Sequence, residues 1–190
     1  MIKLKKLIIF KIFIIILMIT NTQSANEILI FADSITYDKD KNIVAKGNAK
    51  VVNENKLLTS DLIIYKHNEE IFELPVEFQF KDEKNNYYFG ESGFFEKNLK
   101  DAEINNIKLL LNEGSRIVGK KGIKKGQIDL IHKGTYSSCK SRIKISNFIC
   151  PIWQLESETV LHDSDNLFLY QKHSKMRIAN IPVFYTPYMR

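Results

Sequence analysis

From Ile28 onward apolar and polar residues alternate with a period of two, and clusters of turn-forming residues interrupt the alternation. Interruptions at roughly every 8 to 12 residues predict an all-β sandwich, barrel or roll. No stretch offers a sustained helical stripe. In Ile43-Val44-Ala45-Lys46-Gly47-Asn48-Ala49-Lys50-Val51 the odd positions are small or apolar and the even ones mostly polar, so one face is buried and the other wet. Phe72, Leu74, Val76, Phe78 and Phe80 alternate with Glu73, Pro75, Glu77 and Gln79 in the same sense. Trp153, Leu155, Ser157 and Thr159 alternate with Gln154, Glu156 and Glu158. Each segment predicts one half-buried strand.

The segments also resemble one another. Asp33-Ser34-Ile35-Thr36-Tyr37 lines up with Asp61-Leu62-Ile63-Ile64-Tyr65 at an offset of 28, and the strand after each aligns at 29, pairing Ile43 with Phe72, Ala45 with Leu74 and Val51 with Phe80. A weaker third copy runs through Gly90 to Phe95, and a fourth starts at Trp153, where Asp165-Asn166-Leu167 matches Lys41-Asn42-Ile43. The repeated unit is a hairpin of about 28 residues. Such units stack because one hairpin cannot bury its apolar face alone.

Composition narrows the function classes. The formal charge is +6, but residues 1–25 hold Lys3, Lys5, Lys6 and Lys11 and no acid, so the remainder carries only about +2. That is too little for a phosphate-backbone footprint, and no nucleic-acid partner is expected. With 44% apolar residues the chain lies outside the disordered regime. Residues 26–190 suffice for one domain burying roughly two-thirds of its unfolded surface. Residues 1–25 read as a secretory signal: a basic start, an apolar stretch from Leu7 to Ile19 broken by Lys11, then polar and small residues ending in Ser24 and Ala25. The uninterrupted run Ile12 to Ile19 falls short of the roughly 20 residues of a spanning helix.

Export implies a compartment where disulfides persist. Cys139 and Cys150 are the two cysteines. They can close one local loop, typically contributing about 2 to 3 kcal/mol, or one of them can pair with another polypeptide segment. No metal site is expected, because His67, His132, His162 and His173 do not sit at finger spacing from them.

Other apparent motifs are incomplete. Asp38-Lys39-Asp40-Lys41-Asn42 begins like a calcium loop, but Ile43 replaces its glycine and Ala49 its glutamate, so a hairpin turn is expected. Gly114 to Lys121 mimics a phosphate-binding loop until Lys121, which stands where Ser or Thr must hold magnesium. Lys120, Lys121, Lys124 and Lys125 read as a basic loop, a solvated surface by default. No G-x-S-x-G, H-E-x-x-H or nucleophile–His pairing is present, and His162-Asp163 falls at a turn. No catalytic residues, cofactor or metal are therefore expected. The 12 Phe and 8 Tyr either fill a dry core or enclose an apolar ligand between sheets.

Ala32-Asp33-Ser34-Ile35-Thr36-Tyr37, a turn, and Ala45-Lys46-Gly47-Asn48-Ala49-Lys50-Val51 resemble the "A-D-x-x-x-Y … G-N-V-x-V" repeat of OstA-like lipopolysaccharide transport domains. Gly134 to Cys139, Pro151-Ile152-Trp153-Gln154-Leu155 with Val160 to Asp163, and Ile181 to Tyr188 narrow the resemblance to the N-terminal periplasmic region of the LptD family of outer-membrane lipopolysaccharide-assembly proteins. It covers nearly all of residues 27–190. It implies an OstA-like β-jellyroll of stacked antiparallel hairpins, open along one edge, whose interior carries the acyl chains of lipopolysaccharide. On that reading Ile43, Ala45, Ala49, Val51, Phe72, Leu74, Val76, Phe78, Phe80, Trp153 and Leu155 line the acyl-chain groove. The implied partners are lipopolysaccharide, an LptA-like periplasmic bridge protein added along an edge strand, and an LptE-like lipoprotein and the outer membrane reached through a barrel. No barrel is expected within these residues, since at least 8 strands need roughly 10 residues each. Cys139 matches one cysteine of the family's interdomain bridge and Cys150 has no counterpart, so the resemblance leaves a local Cys139–Cys150 disulfide as the expectation here. The alternatives are a stand-alone LptA-like bridge protein and a secreted β-sandwich without lipid ligand.

Overall fold

The computed structural model describes residues 27–138, 142–145 and 148–190. Their regular elements are all strands: β1 (Ile28–Phe31), β2 (Ser34–Tyr37), β3 (Ile43–Asn53), β4 (Lys56–Lys66), β5 (Ile71–Leu74), β6 (Phe78–Lys81), β7 (Tyr87–Gly90), β8 (Ser92–Glu96), β9 (Ala102–Asn105), β10 (Lys108–Leu110), β11 (Arg116–Val118), β12 (Lys121–Lys125), β13 (Ile128–Ser137), β14 (Arg142–Ile145), β15 (Phe148–Pro151), β16 (Trp153–Asp163), β17 (Phe168–Ile178) and β18 (Ile181–Met189). All but the hairpin β14–β15 join one 16-stranded antiparallel sheet. The all-β expectation holds.

That sheet is folded over on itself. The first part of β4 pairs with β6 and its second part with β5, while β3 meets β1 and β2, and β13 meets β11 and β12, in the same divided way. One half of the roll therefore contains β1, β6, β7, β10 and β11, the other β2, β5, β8, β9 and β12. The long strands β3, β4, β13, β16 and β17 run through both. The chain crosses from half to half along one common crease, and the backbone marks the crossing. Gly47 (φ 73°), Asn48 (φ 45°), Asn106 (φ 51°), Lys133 (φ 51°) and His173 (φ 51°) are left-handed there, a conformation that Gly and Asn adopt at least cost. The register of β3 on β4 slips between Lys46 and Ala49, the extra residue of a bulge that bends the pair.

Pro75 explains one correction. The segment 72–80, expected as a single strand, is two: β5 lies in one half and β6 in the other, with the corner at Pro75 to Glu77. A proline cannot donate to a sheet ladder, so the chain turns where that donor is missing. Val76 sits on this corner, 38% exposed, outside the inward-facing row it was assigned to. A second correction concerns Lys120 to Lys125. Lys121–Lys125 are strand β12, not a loop: Lys121 pairs with Glu103 at 2.5 Å, and Lys124 is buried in the core.

The hairpin turns use one repeated device. Asp38 accepts from the backbone N–H groups of Asp40 and Asn42, with Asn42 Nδ2 donating to its other oxygen. Asp82 holds Lys84 and Asn86 in the same way, and Asp163 holds Asp165 and Asn166. The apparent calcium loop is thus an aspartate-capped turn. The amide of Asn42 is the main reason the Asp38 carboxyl lies below its ordinary value near 3.8. Asp163 is lowered in the same way, chiefly by its hydrogen bond from Asn166. A depressed carboxylate supports folding above its ordinary value and loses its contribution only as pH falls through the lowered one, so the Asp38 and Asp163 turns keep theirs at neutral pH.

Leu58, Phe72, Phe80, Tyr88, Phe95, Ile104, Leu109 and Ile117 fill the space between the two halves. The Phe80 and Phe95 rings meet across it with centroids 4.7 Å apart. The signal-peptide expectation falls on residues outside those described. So does the cysteine expectation: Cys139 is not described, and of Cys150 only its place on β15 is.

Candidate functional site

Residues directly opposite on antiparallel strands share a face, and the registers chain the inward residues into rows. Across the first half, Ile30, Val51, Leu58, Phe80, Tyr88, Leu109, Ile117, Tyr136, Leu155, Met176 and Phe184 stand opposite one another in turn, from edge strand β1 to edge strand β18. Across the second half, the row reads Tyr37, Ile43, Tyr65, Phe72, Phe95, Ala102, Lys124, Asp129, His162 and Leu169. The two rows face each other. The first row is therefore a continuous apolar path from one free sheet edge to the other, while the second row carries the polar residues Lys124, Asp129 and His162, and a further buried polar group, Ser157, Gln171 and Ser174, lies on β16 and β17.

The path is packed in the middle and open at its ends. Tyr37, at the β2 end, is 74% exposed although its neighbours on the row are inward, and Phe184, at the β18 end, is 57% exposed. At both ends the strands that would cover these side chains are missing among the described residues. Of the sequence-predicted groove residues, Val51, Phe80 and Leu155 lie on the first row, and Ile43 and Phe72 on the second. Ala45, Ala49, Leu74 and Phe78 are buried on the same concave side nearer the crease. Trp153 is half-buried against Tyr136, with ring centroids 6.0 Å apart. Only Val76 falls away from them. Sequence reasoning missed Met176, Phe184 and Tyr37, which belong to the open ends.

It also missed the polar group. Tyr88 reaches from the first row into the second, where its hydroxyl lies 3.1 Å from Asp129 Oδ2 and 3.3 Å from Asp82 Oδ2. Lys124 Nζ donates to the Tyr88 hydroxyl at 3.2 Å and to the Gly126 carbonyl at 2.7 Å, and stands 3.7 Å from Asp129 Oδ1. His162 Nδ1 is 3.0 Å from Asp129 Oδ2. Asp129 is 1% exposed and Lys124 4%, and Asp129 Oδ1 makes no hydrogen bond. Burial, and after it the charges of Asp129 and Asp82, push the Tyr88 phenol well above its ordinary range, so it stays protonated and remains a donor. Among the described residues no group of His, Cys, Asp or Glu side chains is placed to hold a metal ion.

Both outer edges are free for strand addition among the described residues. β1 and β2 each pair only with β3, and β18 only with β17. An unpaired edge of this kind is a template for another chain's strand. On β18 the apolar side chains Ile181, Val183, Phe184, Tyr185 and Tyr188 are all exposed.

No family model matches the chain. It is similar to the LPS-assembly protein LptD of Histophilus somni (strain 129Pt), with 22% identity over 185 residues, covering 87% of this chain and 21% of that protein. The chain thus spans about a fifth of the length of this curated relative. Among solved structures it is similar to LptH, the LptA homologous periplasmic component of the conserved lipopolysaccharide transport device from Pseudomonas aeruginosa. The TM-score is 0.46 and the identity 16%, over 66% of this chain and 91% of that one. The relative found by comparison is of the family whose repeat and later motifs the sequence displays: over most of its length the chain resembles the lipopolysaccharide-assembly protein LptD.

Proposed function

We propose that the chain is a passive, exported conduit for lipopolysaccharide, a periplasmic roll passing the lipid from a periplasmic bridge towards the outer-membrane translocon. The observation that carries this reading is the apolar row running without interruption through the first half of the roll, from Ile30 at one free edge to Phe184 at the other. Acyl chains laid along it gain about 0.8 kcal/mol per CH₂ removed from water. Nothing along the row is equipped to change the lipid chemically. A groove alone gives equilibrium partitioning, so net movement draws on energy supplied elsewhere. The free β1–β2 edge fits the docking of a bridge protein's strand. A stand-alone bridge role, joining neighbours head to tail through strand addition at sheet edges, is the second reading.

Phe184 tests the reading without disturbing the packed middle, because it is exposed at the open end. Phe184→Asp is expected to weaken lipopolysaccharide binding about tenfold or more by placing an unpaired charge on the path. Tyr185→Asp, next to it and opposite Lys175 on the outer face, is expected to leave binding within about twofold. Equal effects of the two substitutions in a binding titration would contradict the assigned face.

A further inference from the structure

Between its open ends the interior of the roll is closed along two long sides, and what closes them differs. On the crease side the chain itself passes from one half to the other. On the opposite side, the mouth, the halves meet only at hairpin turns, and among the described residues the hydrogen bonds that cross the mouth involve side chains. Lys56 Nζ donates to the Asn98 carbonyl at 3.1 Å, Gln127 Nε2 to Glu83 Oε1 at 2.6 Å, and Lys84 Nζ to the Ser164 carbonyl at 2.7 Å and to Asp165 at 2.6 Å. Beneath them, Tyr88 spans the mouth to Asp129 and Lys124. The mouth is the one long side that can part without breaking a backbone ladder.

We infer that this polar clasp is a gate, and that it opens when an extended apolar chain enters the roll. The inference rests on the proposed function, since it concerns how the same interior is reached. Three observations support it. First, a seal of apolar side chains would hold the halves together by burial alone, whereas charged groups regain water on opening, which offsets the breaking of their hydrogen bonds and ion pairs. Second, the buried cluster is incompletely satisfied in the closed form, with Asp129 Oδ1 lacking a hydrogen bond. Third, cavities flank the clasp along the mouth. One of about 470 Å³ lies by Ile28, Asn53 and Lys97, and one of about 340 Å³ by Leu111, Tyr136 and Leu169, with His162 and Lys84 at its rim. Clefts thus lie on either side of the place where the halves are held.

The test locks the gate across its exposed layer. In the full chain carrying Cys139→Ser and Cys150→Ser, Glu83→Cys and Gln127→Cys are joined by a short methanethiosulfonate cross-linker that dithiothreitol cleaves. The probe is fluorophore-labelled lipid A. Binding by the linked form is expected to fall at least tenfold and to return after cleavage. Unchanged binding by the linked form, with the unlinked form binding, overturns the gate and leaves the conduit intact. Failure of both forms to bind overturns the conduit reading and the gate with it. As a second measurement, spin labels at positions 83 and 127 are expected to move apart when lipid A binds. A distance distribution that does not change on saturation overturns the gate independently.

Discussion

Asp129→Ala is expected to destabilise the roll by about 3 to 5 kcal/mol, the cost of breaking a buried charge pair from one side. Asp129 is the acceptor on which Tyr88 and His162 converge and, among the described residues, the carboxylate within ion-pair distance of Lys124. Without it the Lys124 ammonium stays 4% exposed, with the Gly126 carbonyl and the Tyr88 oxygen as its remaining partners. Denaturant unfolding measures the loss. Replacing both members, Lys124→Met with Asp129→Leu, is expected to recover most of it, because the penalty comes from an unpaired charge rather than from the absence of the pair. A loss below about 1 kcal/mol for Asp129→Ala would show the cluster to be hydrated like a surface pair. The cost of removing a partner does not contradict an opening clasp: opening hydrates both charges together, whereas the substitution strands one of them.

Phe80→Ala is expected to cost a similar amount, about 3 to 5 kcal/mol, for a different reason. Phe80 is fully buried, with its ring 4.7 Å from that of Phe95 and 5.6 Å from that of Tyr88. Its truncation leaves a void between two sheets held apart by their other residues. Gln79, one residue earlier and on the outer face, is expected to tolerate Ala within about 0.5 kcal/mol. Thermal melts of the two variants separate these outcomes, and comparable shifts would mean that the alternation does not set the buried face.

Period-two alternation made the buried face legible. In β3 it placed Ala45, Ala49 and Val51 inward, and they are buried. What alternation cannot encode is which half of the folded sheet a strand joins. Phe72 to Phe80 keeps one phase throughout, yet Pro75 divides it between two halves, and the proline was the available signal. The clasp was hidden for a related reason. Lys124 and Asp129 sit in phase with buried neighbours, Gly122 and Ile131, and His162 with Val160. Lys124, read as part of a basic loop, and His162, read as part of a turn, looked solvated. A charge in phase with apolar strand positions is the sign that a buried partner exists; Lys124 and Asp129 meet across their own hairpin, but Tyr88, which joins them from the first row, lies 41 residues from Asp129 in sequence. The open ends were illegible because exposure there follows from strands that are missing among the described residues, not from the side chains themselves.

The central claim is that lipid occupies the concave face and not the outer one. Photo-reactive residues introduced singly at Met176 and Phe184, which share the first row, and at Lys175 and Tyr185, which oppose each other on the outer face, test it most directly when lipopolysaccharide is present. Cross-links to lipopolysaccharide are expected at Met176 and Phe184, with Lys175 and Tyr185 remaining at background. Equal labelling of both faces, or labelling confined to the outer one, would contradict the claim.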